Sequence, residues 1–247
     1  MAGHSKWKNI RIRKGKQDAI RGKLFTKLSR EIIMAARAGG ADPDTNARLR
    51  LAVSKARAAS LPADNIKRCI QRGTGELEGV NYEELTYEGY GPGGSAIMIE
   101  VSTENKNRTV ADLRHAFSKN GGNLAENGSV SWQFKRLGEI VIPRNGRDED
   151  ETMLVAIEAG ADEFTADEES FTIHTSVENL HTTNDALEHG GLVAEEVGLT
   201  YLATNKTDLG AADVPKLMKL LDALEDLDDV QETYVNVDIT EDMLQEA

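Results

Sequence analysis

Residues 96–122 read AIMIEVSTENKNRTVADLRHAFSKNGG. The short apolar run AIMIEV predicts a strand over 95–102. Val110, Leu113 and Phe117 then fall on one helical face, which predicts a helix over 107–120 that Gly121-Gly122 stops. A strand feeding an amphipathic helix sets the class of everything downstream as mixed α and β.

Moving outward, helix–glycine–strand recurs at Ala159-Gly160 and at His189-Gly190-Gly191. Glycine C-capping accounts for the recurrence, and it also suits two related α/β modules. Further strands are expected at 82–90, 130–134, 138–142, 162–166, 171–175 and 192–203, with VQETYVNVDI closing the chain. Helices are expected at 149–159, burying Met153, Leu154 and Ile157, at 177–189, and at 213–227 on Val214, Leu217, Leu221 and Leu224. Residues 130–203 hold enough elements for a complete unit. Residues 80–128 hold one helix and need the one at 213–227. The expected fold is therefore α+β. A three-helix domain (1–76) precedes two α/β modules with antiparallel or mixed sheets, 130–203 being inserted into 80–129 plus 204–247.

Upstream the pattern is helical. A helix is expected from Asp18, with Ile20, Leu24, Leu28 and Ile32 on one stripe and Gly39-Gly40 at its end. Asp42 is expected to cap a second helix whose first residue is Pro43, with Leu49, Ala52, Val53 and Ala56 buried. A third helix over 62–72 buries Ile66, Cys69 and Ile70, and Gly73 is expected to stop it. The glycine-rich run GTGELEGVN, residues 73–81, reads as a linker. Cys69 is the only cysteine, so it forms no internal disulfide.

The net charge of −13 conceals a division. Residues 1–75 carry 18 Lys+Arg against 5 Asp+Glu, and the remainder carries 11 against 37. Screening limits each charge to roughly 8 Å at physiological salt, so a polyanion meets the basic end on its own terms. The residues expected to hold nucleic acid are Lys6, Trp7, Lys8, Arg11, Arg13, Lys14, Lys16, Arg21, Lys23, Lys27, Arg48 and Arg50, the cations on phosphate and Trp7 offering a ring for stacking. The acidic runs Asp148–Glu151, Asp167–Glu169, Glu225-Asp226 and Asp228-Asp229 are expected to be solvated.

The chemistry-bearing motifs are sparse. Gly89–Gly94 satisfies GxGxxG, yet a strand follows it where a dinucleotide site needs a helix, so it reads as a hairpin loop. No P-loop or HExxH is present, and no catalytic, metal or cofactor site is expected. No apolar run approaches the ~18 residues of a membrane span. The first residues lack the apolar core of a secretory signal, so a cytoplasmic chain is expected.

Several blocks resemble one family: MAGHSKWKNI, GKLFTKLSREI, ARAGGADPDTNARLR, YEGYGPGG, NRTVADLRHAFSKNGGNL with NGSVSW, and PKLMKLLDALEDLDDVQ. They are similar to the YebC/PmpR family, whose mitochondrial relatives include the translational activator of cytochrome c oxidase subunit one. The resemblance implies three domains and no enzymatic activity. It implies DNA-binding transcriptional regulation, or alternatively binding of ribosomal RNA on the ribosome to assist translation through proline-rich stretches. Both need a basic grip on phosphate. The helices lack compact helix-turn-helix spacing, while Trp7 and the glycine loop suit irregular RNA.

Overall fold

The computed structural model describes residues 17–238, with side chains from residue 21 onward. The first helix, α1 (Gln17–Gly39), buries Leu28, Ile32, Ile33, Ala35 and Ala36 against α2 (Ala47–Ala58) and α3 (Ala63–Thr74). Gly40, at φ 91°, ends α1 as expected. The next expectation fails. Asp42 to Thr45 form a turn in which the Asp42 carboxylate accepts the Asp44 N–H, and Asn46 is the cap of α2. Asn46 does two jobs from a buried position. Its Oδ1 accepts the Leu49 N–H at 3.0 Å, and its Nδ2 donates to the carbonyls of Ala35 and Gly40. One side chain thereby closes both helix ends.

Gly73 does not stop the third helix. It is buried inside α3, and a Cβ there would lie 2.5 Å from the Ile33 carbonyl oxygen and 2.7 Å from the Ala36 Cβ. The glycine is needed for close helix approach. Gly75, at φ 84°, is the actual cap. The expected linker therefore loses residues 73 and 74 to the helix. Cys69 is buried in this core, and burial pushes its thiol pKa up.

Two four-stranded sheets follow. The first has the order β3 (Asn123–Leu124), β1 (Glu83–Tyr90), β2 (Ala96–Thr103), β8 (Val230–Val235). Every pairing in it is antiparallel. Helices α4 (Lys106–Lys119) and α7 (Val214–Glu225) supply Leu113, Phe117, Leu217, Leu221 and Leu224 to its core with Ile97, Ile99 and Val101. The second sheet has the order β5 (Glu163–Ala166), β6 (Ser170–Thr175), β4 (Phe134–Pro143), β7 (Glu196–Ala203). Strand β8 joins the first sheet after the whole second sheet has intervened, so one α/β module is inserted into the other. The described residues form two compact units, one of 135–202 and the other of 17–134 with 203–238.

Two local expectations are corrected, and the hairpin reading of Gly89–Gly94 is borne out. Residues 130–134 and 138–142 are not two strands: Ser131–Gln133 is a 3-10 turn, and β4 runs unbroken from Phe134. The N–H groups of Gly128, Val130 and Ser131 are taken by the Glu88 carboxylate, so that segment pairs with no neighbouring strand. Gly91–Ser95 is the β1–β2 hairpin turn, tightly packed: a Cβ on Gly93 would meet Leu209 at 2.4 Å. Finally, α5 (Glu149–Glu158) faces the other way. Thr152 and Ala156 are buried, and Met153, Leu154 and Ile157 are exposed at 37, 60 and 57 %. The sheet face is already covered where Phe171 and Ile173 meet Leu180 and Leu187 of α6 (Leu180–His189), so α5 turns its small side chains inward.

Candidate nucleic-acid interface

The helical domain presents its cations in two distinct ways. On α1, Lys23, Lys27 and Arg30 recur at i, i+4 and i+7, which places them on one face. That face is docked, not open. Lys23 Nζ lies 2.9 Å from Asp226 Oδ1, Lys27 Nζ 2.7 Å from Glu225 Oε2, and an Arg30 nitrogen 3.0 Å from Asp229 Oδ1. Arg30 also donates to the Ser102 and Asp228 carbonyls and lies over the Tyr82 ring. The acidic segment that ends α7 is therefore the receptor of the basic helix, and not the solvated run its composition suggests.

Asp229 is the hub of that docking. It is 7 % exposed, and it accepts from Thr103, Thr109 and Arg108 as well as Arg30. Burial alone raises its pKa. The Thr109, Arg108 and Thr103 donors with the Arg30 charge outweigh that, and the carboxyl sits below its ordinary range.

The other described candidates divide. Arg48 is paired with Glu84 at the start of β1. Arg21 is exposed and lies over the Phe25 ring at 5.4 Å. Arg50 is exposed and makes no ion pair among the described residues. Arg57, Lys67, Arg68 and Arg72 share that condition and are absent from the expected site. The sequence does carry a signal for three of them: with Ile66, Cys69 and Gly73 turned inward on α3, positions 67, 68 and 72 must turn outward. Lys6, Trp7, Lys8, Arg11, Arg13, Lys14 and Lys16 lie outside the described residues.

Chemically, Arg50 and Arg57 on α2 and Lys67, Arg68 and Arg72 on α3 offer guanidinium and ammonium groups with no ion pair among the described residues. Arg50 and Arg57 stand seven residues apart, two turns along one face. Such a surface can neutralise phosphates without having to break an existing pair. Among the described residues no cluster of three or more His, Cys, Asp or Glu could hold a metal ion. No helix there is long and apolar enough to cross a membrane.

Comparison with known proteins covers the chain twice over. The family model described as the TACO1/YebC protein N-terminal domain matches residues 5–76, and that described as the TACO1/YebC second and third domain matches 82–237. A probable transcriptional regulatory protein of Chlorobaculum tepidum is 51 % identical over 245 residues, covering 99 % of this chain and 98 % of its own. One of Geobacillus kaustophilus is 53 % identical over 240 residues, covering 96 and 98 %. The crystal structure of a conserved hypothetical protein from Aquifex aeolicus superposes with a TM-score of 0.86 at 44 % identity, covering 94 % of this chain and 96 % of its own.

Proposed function

The chain belongs to the TACO1/YebC family, and from that premise we propose that it is a nucleic-acid-binding regulator of gene expression, acting on DNA and catalysing no reaction. The observation that carries this reading is the set of exposed cations on α2 and α3, Arg50, Arg57, Lys67 and Arg68, that lack ion pairs among the described residues. The relatives' names, probable transcriptional regulatory proteins, support it.

The reading divides the labour by charge. Residues 1–76 grip phosphate, 80–129 with 204–247 brace the grip through the α7 acids, and 130–203 form an appended module. Residues 135–202 carry 4 Lys+Arg against 16 Asp+Glu, so phosphate is repelled from that module. Lys23 and Lys27 then serve the brace, while Arg50 and its neighbours serve the ligand.

The test is crosslinking in cells followed by sequencing of the bound nucleic acid. Enrichment of promoter DNA is the expected result. Recovery of ribosomal RNA without promoter enrichment rejects direct action on DNA and places the same basic surface on the ribosome.

A further inference from the structure

Trp132 is the most exposed large apolar side chain among the described residues, with 67 % of its surface open. Its apolar neighbours along the chain, Val130 and Phe134, are buried at 0 and 8 % exposure. The ring thus leaves the body alone, flanked by Ser129, Ser131 and Gln133.

The turn that carries it is held from both sides. The Glu88 carboxylate, 6 % exposed on β1, accepts the N–H groups of Gly128, Val130 and Ser131 at 2.7, 2.6 and 2.9 Å. Tyr90 Oη donates to the Ser129 carbonyl at 2.9 Å, and Trp132 Nε1 donates to that same carbonyl at 3.0 Å. On the far side, the Gln133 carbonyl accepts both the Thr204 N–H and the Thr204 hydroxyl, and Gln133 Oε1 accepts from Asn236. Burying a carboxylate costs free energy unless several donors satisfy it. Here the donors all come from the segment leading to Trp132, so the carboxylate fixes where the ring stands.

Much of the hydrogen-bonding capacity of the turn's backbone is spent internally. The indole N–H is engaged, and three amides point at Glu88. What faces outward is an aromatic surface with no donor of its own. A protein anchor of this size normally sits among other apolar side chains that exclude water. A lone ring face on a rigid polar turn suits a flat ligand instead, one that stacks by its face and is held elsewhere by charge.

We propose that Trp132 is a stacking platform for an unpaired nucleobase, with Glu88 and Tyr90 as the residues that position it. The proposal rests on the nucleic-acid reading above and adds that the target contains single-stranded segments, whether RNA or melted DNA.

The full chain is labelled with 5-fluorotryptophan, which gives one fluorine resonance for Trp7 and one for Trp132. The second is assigned by its loss in Trp132→Phe. The probes are oligo(U), oligo(dT) and a duplex of equal length, each also followed by fluorescence anisotropy. The Trp132 resonance is expected to move with single strands and to stay with the duplex. Whichever of oligo(U) and oligo(dT) moves it at lower concentration identifies the source of the base. Trp132→Ala is expected to weaken single-strand binding roughly five- to hundredfold, with Trp132→Phe recovering part of the loss. Glu88→Gln is expected to weaken the same binding and to shift the Trp132 resonance before any ligand is added, while leaving duplex affinity alone. Tight single-strand binding with an unmoved Trp132 resonance and an unaffected Trp132→Ala overturns the platform and leaves the regulator standing. Absence of binding to all three probes overturns the nucleic-acid reading and the platform with it.

Discussion

Lys27 Nζ lies 2.7 Å from Glu225 Oε2, and the two side chains are 17 and 12 % exposed. The pair fastens the first helix of the basic domain to the end of α7. Lys27 also reaches the Gln231 carbonyl, so its charge is held at two points. Removing it takes the charge partner from a mostly buried carboxylate whose other oxygen accepts from the Thr233 hydroxyl. Lys27→Ala is therefore expected to cost about 1–3 kcal/mol in urea unfolding. Lys23→Ala, whose pair is 40 and 54 % exposed, is expected to cost under about 1 kcal/mol.

Acid should loosen both the docking at Asp229 and the turn held by Glu88. Asp229 and Glu88 both have folded-state pKa values below their ordinary ones. For Glu88, burial works upward and the three N–H donors more than reverse it. The unfolded chain then binds protons first as pH falls. The stability each carboxylate contributes is complete above its ordinary pKa, near 4, and is lost as pH drops through the lower folded value. Urea midpoints measured from pH 7 to pH 3 should fall less steeply in Asp229→Asn and in Glu88→Gln than in the parent.

Two glycines in α1 and α3 should respond in opposite directions. Gly73→Ala drives a methyl into the Ile33 carbonyl and is expected to destabilise by about 1–3 kcal/mol. A Cβ on Gly22 meets nothing within 4 Å, so Gly22→Ala is expected to stabilise by about 0.5–1 kcal/mol through helix propensity. Thermal unfolding of the two variants checks both signs.

The docked and the open cations are separable by salt. Replacing Arg50, Arg57, Lys67 and Arg68 together with Ala should flatten the dependence of log affinity on log salt, by about 0.7–0.9 for each phosphate no longer neutralised, with the fold unchanged. Lys27→Ala should leave that slope as it is. A slope unmoved in the fourfold variant would remove α2 and α3 from the interface.

What can be read in advance follows from what a period can encode. Leu24, Leu28 and Ile32 announce α1, and the leucines of 214–224 announce α7, because a stripe of large apolar residues has to be covered by something. The period does not say by what. Met153, Leu154 and Ile157 form an equally good stripe and stay exposed, because the neighbouring sheet leaves room only for Thr152 and Ala156. The same gap hides the site. Lys23 and Lys27 look like phosphate ligands until the acids 200 residues downstream are folded onto them, and no local signal connects the two. Asn46 escapes notice for a simpler reason: Asp42-Pro43 is a good cap in isolation, and only the closing of α1 onto α2 favours the later residue.

Strand β8 hydrogen-bonds to β2, with Ile97 opposite Val235 and Val101 opposite Val230. On a translating ribosome β2 emerges early and waits for residues 230–235, on the order of ten seconds at about 5–20 residues per second. During that interval AIMIEV presents a bare hydrogen-bonding edge, the kind of template on which chains aggregate. Any product that ends prematurely keeps it. Closure of the first sheet thus depends on a strand made more than a hundred residues after the one it covers.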